Sequence, residues 1–277
     1  MSELSPLASF RLDGRVALIT GGNGGLGQEI ARGLRSVGAE VVVTGRDAEK
    51  NRAAADEHGA QNVLELDVRD EESVAAAIGA VSERHGRLDV LVNNAGVGGS
   101  YSVLDMTLEE WRLLVDTSLT GSFLCAKHAA RAMIAAGNGG AIINLGSMYS
   151  VFGPPRAVGY ASAKAGILGL SRALAVELAP HGIRSNAILP GWIETAMTAR
   201  PLGGEIGYEV HRKTPAARFG RPSDLVGAAI YLASDASAFV TGIELPVDGG
   251  YRVSERPRGV LLDNPAPPAW TPSSTCA

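Results

Sequence analysis

The stretch RVALITGGNGGLGQEIARGL, residues 15–34, is the most direct indication of how this chain folds. A short apolar run leads directly into a glycine-rich loop, and a helical pattern begins at the last glycine of that loop. Gly21, Gly25 and Gly27 have the spacing G-x-x-x-G-x-G. Glycines at these positions permit a positive φ and a close approach of the backbone to a pyrophosphate, which would lie at the helix N-terminus. The stretch therefore predicts the first strand, loop and helix of a dinucleotide-binding βαβ unit; the alternative is a glycine-rich turn without a ligand.

The rest of the chain repeats this alternation of short apolar runs and longer helical patterns. The runs that predict strands are RVALIT, EVVVT, NVLEL, DVLVN, AIINLG and IRSNAIL, with a last one near IELPV. Their apolar residues are continuous rather than alternating, which indicates a sheet buried on both faces. The alternation of strands and helices predicts an α/β fold, a doubly wound parallel sheet in three layers.

Length and composition are those of a single domain. The chain has 277 residues, of which 45% are hydrophobic, enough for a sizeable core. We predict one domain over residues 15–252, preceded by an N-terminal segment, 1–14. Residues 253–277 are rich in proline and small polar residues and are expected to form an irregular tail.

Charge and motif content exclude several classes of partner. The formal net charge of −4 gives no electrostatic reason to expect binding to nucleic acid or to an anionic membrane. The N-terminus lacks the apolar run of a signal peptide, and no stretch approaches the ~20 apolar residues of a membrane span, so we expect a cytoplasmic location. The five histidines have no metal-ligand spacing to each other or to the two cysteines, so we expect no metal site and no disulfide framework.

The end of the second predicted strand indicates which dinucleotide binds. An NAD-dependent protein usually has a carboxylate there, which takes the ribose hydroxyls. This chain reads VVVTGRD, with Gly45 where the acid is expected, followed by Arg46. A glycine leaves room for a 2′-phosphate and an arginine can hold it with a charge-assisted pair, whereas Asp47 is expected to cap the next helix. NADP(H) is therefore favoured, with NAD(H) as the alternative.

A second stretch, GSMYSVFGPPRAVGYASAK at residues 146–164, carries candidate reactive groups. Tyr160 and Lys164 are spaced i, i+4, so a helix would place them on one face. A tyrosine acts as a base near neutral pH only if its pKa falls from near ~10, a change worth about 4 kcal/mol. A lysine ammonium ~5 Å away at an effective dielectric of ~20 supplies on the order of 3 kcal/mol. Tyr160 is thus a candidate acid/base and Ser147 a candidate donor to a substrate oxygen; the alternative is a pair of exposed helix residues.

These features together resemble the short-chain dehydrogenase/reductase family in its single-domain form. The resemblance extends from about residue 15 to residue 251. It is carried by TGGNGGLG, the pair Asp67-Val68, NNAG at 93–96, Ser147, YASAK at 160–164, PGWIET at 190–195 and VDGG at 247–250. The resemblance implies a Rossmann fold and an NAD(P)(H)-dependent oxidoreductase that transfers a hydride between nicotinamide and a secondary alcohol or ketone. Within the family, the chain looks most similar to 3-oxoacyl-acyl-carrier-protein reductases and sugar-alcohol dehydrogenases.

The resemblance also implies roles for particular residues. Tyr160 would be the acid/base, Lys164 would lower its pKa and hold the nicotinamide ribose, and Ser147 would position the carbonyl or alcohol. Asp67 and Val68 would flank the adenine. The residues expected to bind the cofactor are Gly21, Asn23, Gly25, Leu26, Gly27, Arg46, Asp67, Val68, Asn94, Ala95, Gly96, Tyr160, Lys164, Pro190, Gly191, Ile193 and Thr195, with the last two at the carboxamide.

One position departs from the family's pattern. The family often has an asparagine in the stretch aligned with VDTSLTGSF, where it helps to hold a water on the lysine as part of a proton relay; this chain has Ser118 there. A hydroxyl can still bond a water, but it is shorter and has one donor where an amide has two. Ser118 is therefore a tentative member of the catalytic set.

Three rival functions are weighed against this interpretation. An epimerase or dehydratase of the extended branch would need a substrate domain and a different glycine spacing. An enoyl reductase of the same fold usually spaces its tyrosine and lysine further apart. A non-catalytic dinucleotide sensor with a protein partner would be free to lose Tyr160 or Lys164, and this chain keeps both.

Two further expectations concern the substrate side and assembly. The segment from Trp192 to about Gly220 is long, contains glycine and is poor in clear helical period, which is typical of a lid that closes over a small-molecule alcohol or ketone.

Two long predicted helices, about 108–136 and 157–179, have apolar faces that could pair with symmetry mates, so a homo-oligomer, a tetramer or dimer, is expected.

Overall fold

The computed structural model describes residues 6–202 and 205–254 and contains one parallel sheet of seven strands. The strands are β1 Val16–Ile19, β2 Glu40–Gly45, β3 Val63–Glu65, β4 Val90–Asn93, β5 Gly140–Leu145, β6 Ile183–Pro190 and β7 Glu244–Val247. Each coincides within a residue or two with an apolar run predicted from the sequence. The predicted doubly wound parallel sheet is confirmed.

The order of the strands creates a crevice at one edge of the sheet. The order is β3-β2-β1-β4-β5-β6-β7, so β2 and β3 lie on one side of β1, and β4 to β7 lie on its other side. Between β1 and β4 the connections leave toward opposite faces. In open parallel sheets such a switch point lies beside the ligand site, at the carboxyl ends of the strands.

Helices cover both faces of the sheet and produce two large apolar cores and one small cluster of three residues. The helices are α1 Gly25–Ser36, α2 Ala48–His58, α3 Glu71–His85, α4 Leu108–Val115, α5 Gly121–Ala136, α6 Val158–Leu178, α7 Ala199–Leu202, α8 Glu205–Lys213 and α9 Val226–Ala233. One large core joins the sheet to α1, α2 and α9, and the other joins it to α3, α5 and the end of α6. Because both faces are covered, the central strands are apolar at nearly every position.

Local sequence explains where the helices begin. Asp47 accepts hydrogen bonds from the backbone N–H groups of Glu49 and Lys50, which is the capping role expected of it. Thr107 and Glu110 form a capping box that starts α4.

Two helical segments differ from a simple reading of the sequence. The predicted long helix over about 108–136 is interrupted by a π-helical turn at Asp116–Thr120, which joins α4 to α5. The segment after Trp192, expected to lack helical period, contains α7 and α8. Its helices were missed because they are short and lie among prolines and glycines, which mask their period.

The amino edge of the sheet is fastened by a buried carboxylate. Asp89, just before β4, accepts hydrogen bonds from the Val16 backbone N–H at 2.9 Å, from Arg87 at 2.6 and 2.8 Å, and from the Asn138 side chain at 3.0 Å. It thereby ties β1 and β4 to the turn that precedes β5.

Within the described residues, no helix is both long enough and apolar enough to cross a membrane. The predicted tail lies outside the described residues from 255 onward, as do residues 1–5.

Candidate active site

A cleft of about 520 Å³ runs along the carboxyl edge of the sheet, across the switch point. Most of the site residues predicted from the sequence line it, although they come from distant parts of the chain. These are Gly21, Asn23, Gly25, Leu26, Arg46, Val68, Asn94, Ala95, Gly96, Ser147, Tyr160, Lys164, Pro190, Gly191, Ile193 and Thr195. Sequence reasoning missed other lining residues, among them Lys50, Thr117, Met197 and Thr198.

The glycine loop has the shape that a dinucleotide needs. Gly21 and Gly25 have φ values of +61° and +54°, which favour glycine, and a Cβ on Gly25 would point into open space. Gly27 is buried and does not line the cleft. A Cβ there would lie 2.5 Å from the Asn94 side-chain nitrogen, so this glycine allows α1 to pack against the end of β4.

At the end of β2, a side chain on residue 45 would meet the Asn23 side chain. A Cβ on Gly45 would lie 1.9 Å from the side-chain nitrogen of Asn23. That nitrogen donates to Asn51 Oδ1 at 2.8 Å, and Asn51 in turn donates to the Gly45 carbonyl at 2.9 Å. Asn23 therefore occupies the position where a carboxylate on residue 45 would begin.

Two cations lie near this end of the cleft. Arg46 is about half exposed, and its closest ionic contact is Asp67, at 3.7 Å. Lys50, in the first turn of α2, also lines the cleft. Asp67 was expected beside the adenine, but it does not line the cleft. The Arg69 guanidinium binds its carboxylate at 2.6 Å and lowers its pKa to about 2, and Leu66 and Val68 form the wall instead.

Three candidate reactive residues, Ser147, Tyr160 and Lys164, line the cleft together. Ser147 follows β5, and Ser150 accepts a hydrogen bond from the Ser147 backbone N–H at 3.1 Å while donating to the Lys164 carbonyl at 2.7 Å. Ser150 therefore ties the loop after β5 to α6, which carries Tyr160 and Lys164. The S-x-x-S spacing of Ser147 and Ser150 is the sequence signal that could have identified it.

Burial has the largest effect on the pKa values of Tyr160 and Lys164. The Lys164 ammonium lies 5.9 Å from the centre of the Tyr160 ring and donates to the Leu145 carbonyl at 2.6 Å. Burial lowers the pKa of Lys164 to about 8 and raises the pKa of Tyr160, which a hydrogen bond with Ser147 partly offsets. The sequence predicts that the lysine charge lowers the pKa of Tyr160; in the protein alone, desolvation of the phenolate has the larger effect and raises it.

Ser118 lies in the π turn and is completely buried. Its hydroxyl has no hydrogen-bond partner among residues 6–202 and 205–254. A Cβ on Gly96 would lie 3.5 Å from that hydroxyl and 3.6 Å from Lys164 Nζ. The two polar atoms therefore border the same small space beside Gly96.

Aromatic side chains form the wall next to Tyr160. The Tyr149 ring packs edge-on against Tyr160, with centres 6.1 Å apart, and against Trp192, with centres 6.0 Å apart. Met148, between Ser147 and Tyr149, is buried in the core.

Comparison with known proteins agrees with this arrangement. A family model described as Enoyl-(Acyl carrier protein) reductase matches residues 21–252. The D-threitol dehydrogenase of Mycolicibacterium smegmatis is 36% identical over 91% of this chain and 98% of its own length. The 3-oxoacyl-(acyl-carrier-protein) reductase FabG of Aquifex aeolicus is 36% identical over 87% of this chain and 98% of its own length.

A solved structure extends the likeness to the fold and to the class of cofactor. The gluconate 5-dehydrogenase of Burkholderia cenocepacia J2315, crystallised with NADP and tartrate, is 38% identical and covers 91% of this chain and 100% of its own, with a TM-score of 0.85. The relatives carry the names of dehydrogenases and reductases of alcohol and carbonyl groups, which does not favour a non-catalytic sensor. The chain therefore belongs to the short-chain dehydrogenase/reductase family and is an NAD(P)-dependent oxidoreductase acting on alcohol and ketone groups.

Proposed function

We propose that Tyr160 is the general acid/base of this enzyme and that its substrate is a small molecule with a secondary alcohol or ketone. The observation that carries the proposal is the convergence of Ser147, Tyr160 and Lys164 in the cleft, with Ser150 joining the two segments that bear them. When bound, the nicotinamide accepts or supplies the hydride. Tyr160 exchanges a proton with the substrate oxygen, Ser147 donates a hydrogen bond to that oxygen, and Lys164 holds the ribose.

The raised pKa of Tyr160 bears on this role. Burial favours the protonated phenol, which is the form that ketone reduction needs. Alcohol oxidation needs the phenolate, and the positive charges of Lys164 and of the oxidised nicotinamide would stabilise it.

The test measures NAD(P)H absorbance with a panel of ketones, sugar alcohols, sugar acids and acyl thioesters, each with both cofactors. We expect turnover in one class, and we expect Tyr160→Phe to lower kcat by about 10²- to 10⁴-fold. Tyr149→Phe is the matched control, since it removes a hydroxyl from the adjacent ring. Parent-like turnover in Tyr160→Phe would refute the proposal.

We further propose that the enzyme prefers NADP(H) to NAD(H). Position 45 carries no acid, an acid there would have to displace the Asn23 side chain, and Arg46 and Lys50 supply positive charge at the same end of the cleft. The related gluconate 5-dehydrogenase was crystallised with NADP. Arg46→Ala should raise KM for NADPH by about 10- to 100-fold and change KM for NADH much less. Arg52→Ala, further along α2 and largely exposed, is the control; equal kcat/KM for the two cofactors in the parent would contradict the preference.

Ser118 is proposed to hold a water on Lys164 in a proton relay. Its unpartnered hydroxyl and Lys164 Nζ border one small space beside Gly96, and a single water there would bond both.

A homo-oligomer, a tetramer or dimer, is also proposed. Apolar side chains on α5, α6 and the turn before β7 are exposed, including Phe123, Val176 and Phe239. Light scattering of the purified protein tests this, and a monomeric mass at micromolar concentration would contradict it. The cytoplasmic location stays a prediction from the sequence.

A further inference from the structure

Lys213, the last residue of α8, joins three segments of the chain. Its ammonium lies 5.0 Å from the centre of the Phe152 ring and 4.2 Å from the centre of the Tyr251 ring. Phe152 belongs to the loop after Ser147, and Tyr251 follows β7. The two rings also touch each other edge-on, with centres 6.3 Å apart.

Aromatic side chains of one loop link the region of this ammonium to that of Tyr160. Tyr149 contacts the Tyr160 ring directly. Phe152, three residues further along the same loop, contacts both the Tyr251 ring and the Lys213 ammonium. The rings of Tyr149, Phe152 and Tyr251, here called the aromatic surface, therefore include one that contacts the proposed acid/base and two that contact a positive charge.

Close packing fixes the position of Lys213. A Cβ on Gly249 would lie 2.9 Å from Thr214, and one on Gly250 would lie 3.0 Å from Pro215. The end of α8 is thus packed directly against the turn that carries Tyr251. Lys213 is half-buried there, so its ammonium is held on the aromatic surface rather than free in solvent.

Among residues 6–202 and 205–254, no carboxylate lies within ion-pair distance of the Lys213 ammonium. The adjacent Arg212 pairs with Glu209, and Arg218 pairs with Asp224. Lys213 forms no ion pair within the part of the chain that the structure describes. Ring faces attract a cation, but they do not accept its N–H hydrogen bonds as a carboxylate oxygen does. A half-buried ammonium in this state is suited to an anionic ligand.

We infer that Lys213 binds a carboxylate of the substrate whose alcohol or ketone reacts at Tyr160, so that the substrate class is hydroxy or oxo carboxylic acids. The inference rests on the proposed function. The carbon skeleton of the substrate would lie on the aromatic surface between the two groups. One ammonium matches the single charge of a carboxylate.

The experiment compares an acid with its neutral isostere. The substrates are trans-4-hydroxycyclohexanecarboxylate and its carboxamide, with gluconate and sorbitol as a second pair. The measured quantity is the ratio of kcat/KM for the acid to that for the neutral partner. Calorimetric binding of the same compounds to the NADP⁺ complex gives the corresponding ratio of dissociation constants without turnover.

We expect the parent to favour the acid, and Lys213→Met to lower that ratio by about 10- to 100-fold through KM. Lys213→Arg keeps the charge and should retain most of the ratio. Arg212→Met, which removes the adjacent exposed cation, is the matched control and should retain all of it.

Other outcomes overturn the inference and separate it from the proposed function. If Lys213→Met weakens the acid and the neutral partner equally, Lys213 only fastens α8 to the aromatic surface. A parent that turns over neutral alcohols but neither binds nor oxidises the acids refutes the inference and leaves the proposed function intact. Binding of the acids that depends on Lys213, without turnover of any panel member, supports the inference and counts against Tyr160 as acid/base.

Discussion

Lys164 is a buried cation at the centre of the site, and its burial has a consequence for stability. The pKa of Lys164 is lowered to about 8 in the folded protein, against 10.5 for an ordinary lysine. At neutral pH the folded state therefore carries a charge that is poorly solvated, whereas the unfolded chain carries the same charge in water. We expect Lys164→Met to raise the free energy of unfolding near neutral pH by about 1–3 kcal/mol without cofactor, although it removes activity.

The loss of stability caused by the buried Lys164 charge is expected to decrease as the pH rises. Between pH 8 and 10.5 the unfolded chain keeps the lysine proton that the folded protein has lost, so the parent gains stability as the pH rises. The difference between Lys164→Met and the parent should therefore shrink across that window. Urea unfolding at several pH values measures it, and a constant difference would contradict the argument.

The relay role of Ser118 gives a second prediction for a single residue. Ser118→Ala should lower kcat roughly tenfold across about pH 6 to 9, with little change in KM, because the lost hydroxyl acts on proton transfer and not on binding. Ser171→Ala removes another buried hydroxyl, one that pairs with Ser185 away from the cleft, and is the control. Parent-like kcat for Ser118→Ala at every pH would count against the relay.

Single residues were predictable from the sequence where their partner is local. Tyr160 and Lys164 share a helix face because they are four residues apart, and Asp47 caps the helix that directly follows it. The ion pair of Asp67 with the nearby Arg69 was not predicted, because the motif does not specify it, and the place of Asp67 beside the adenine stays a prediction. No sequence motif marks Lys213 as a site residue, because its contacts with Phe152 and Tyr251 form only in the folded protein.

Among the contacts between secondary-structure elements, the Ser150 hydroxyl joins the turn after β5 to helix α6. Ser150 is a positioning residue, because it bonds the backbone of Ser147 and of Lys164 without touching the cleft. We expect Ser150→Ala to lower kcat about tenfold well below the unfolding temperature, with Ser150→Thr restoring part of it. Ser82→Ala, which removes a comparable hydrogen bond within α3, should leave kcat at the parent value. Loss of stability without loss of kcat would leave Ser150 a purely structural role.

Elements with a long, uniform pattern were predicted well, and interrupted ones were not. The strands are recognisable because both faces of the sheet are buried, which keeps their apolar runs unbroken. The π turn at Asp116–Thr120 leaves the periodicity of the flanking helices nearly intact, so the sequence does not reveal it.

Across the whole molecule, stability and chemistry lie at opposite edges of the sheet. Asp89 is buried at the amino edge with all its partners in place, whereas the carboxyl edge holds the buried lysine and the unpartnered Ser118 hydroxyl. We expect Asp89→Ala to lower the free energy of unfolding by about 2–4 kcal/mol, since it leaves the Val16 N–H and Asn138 without their partner. Thermal unfolding measures the loss. Turnover and KM at low temperature should stay at the parent values, and a selective change in KM would show that the two edges are coupled.

The contact between Asn23 and Gly45 has a consequence for how cofactor choice can evolve. An acidic residue at position 45 meets the Asn23 side chain, which would have to turn away and give up its hydrogen bond to Asn51. We expect a change at both positions to be tolerated better than an acid at position 45 alone. If the enzyme prefers NADP(H) as proposed, libraries that vary the two positions together should change that preference more readily than libraries that vary one position at a time.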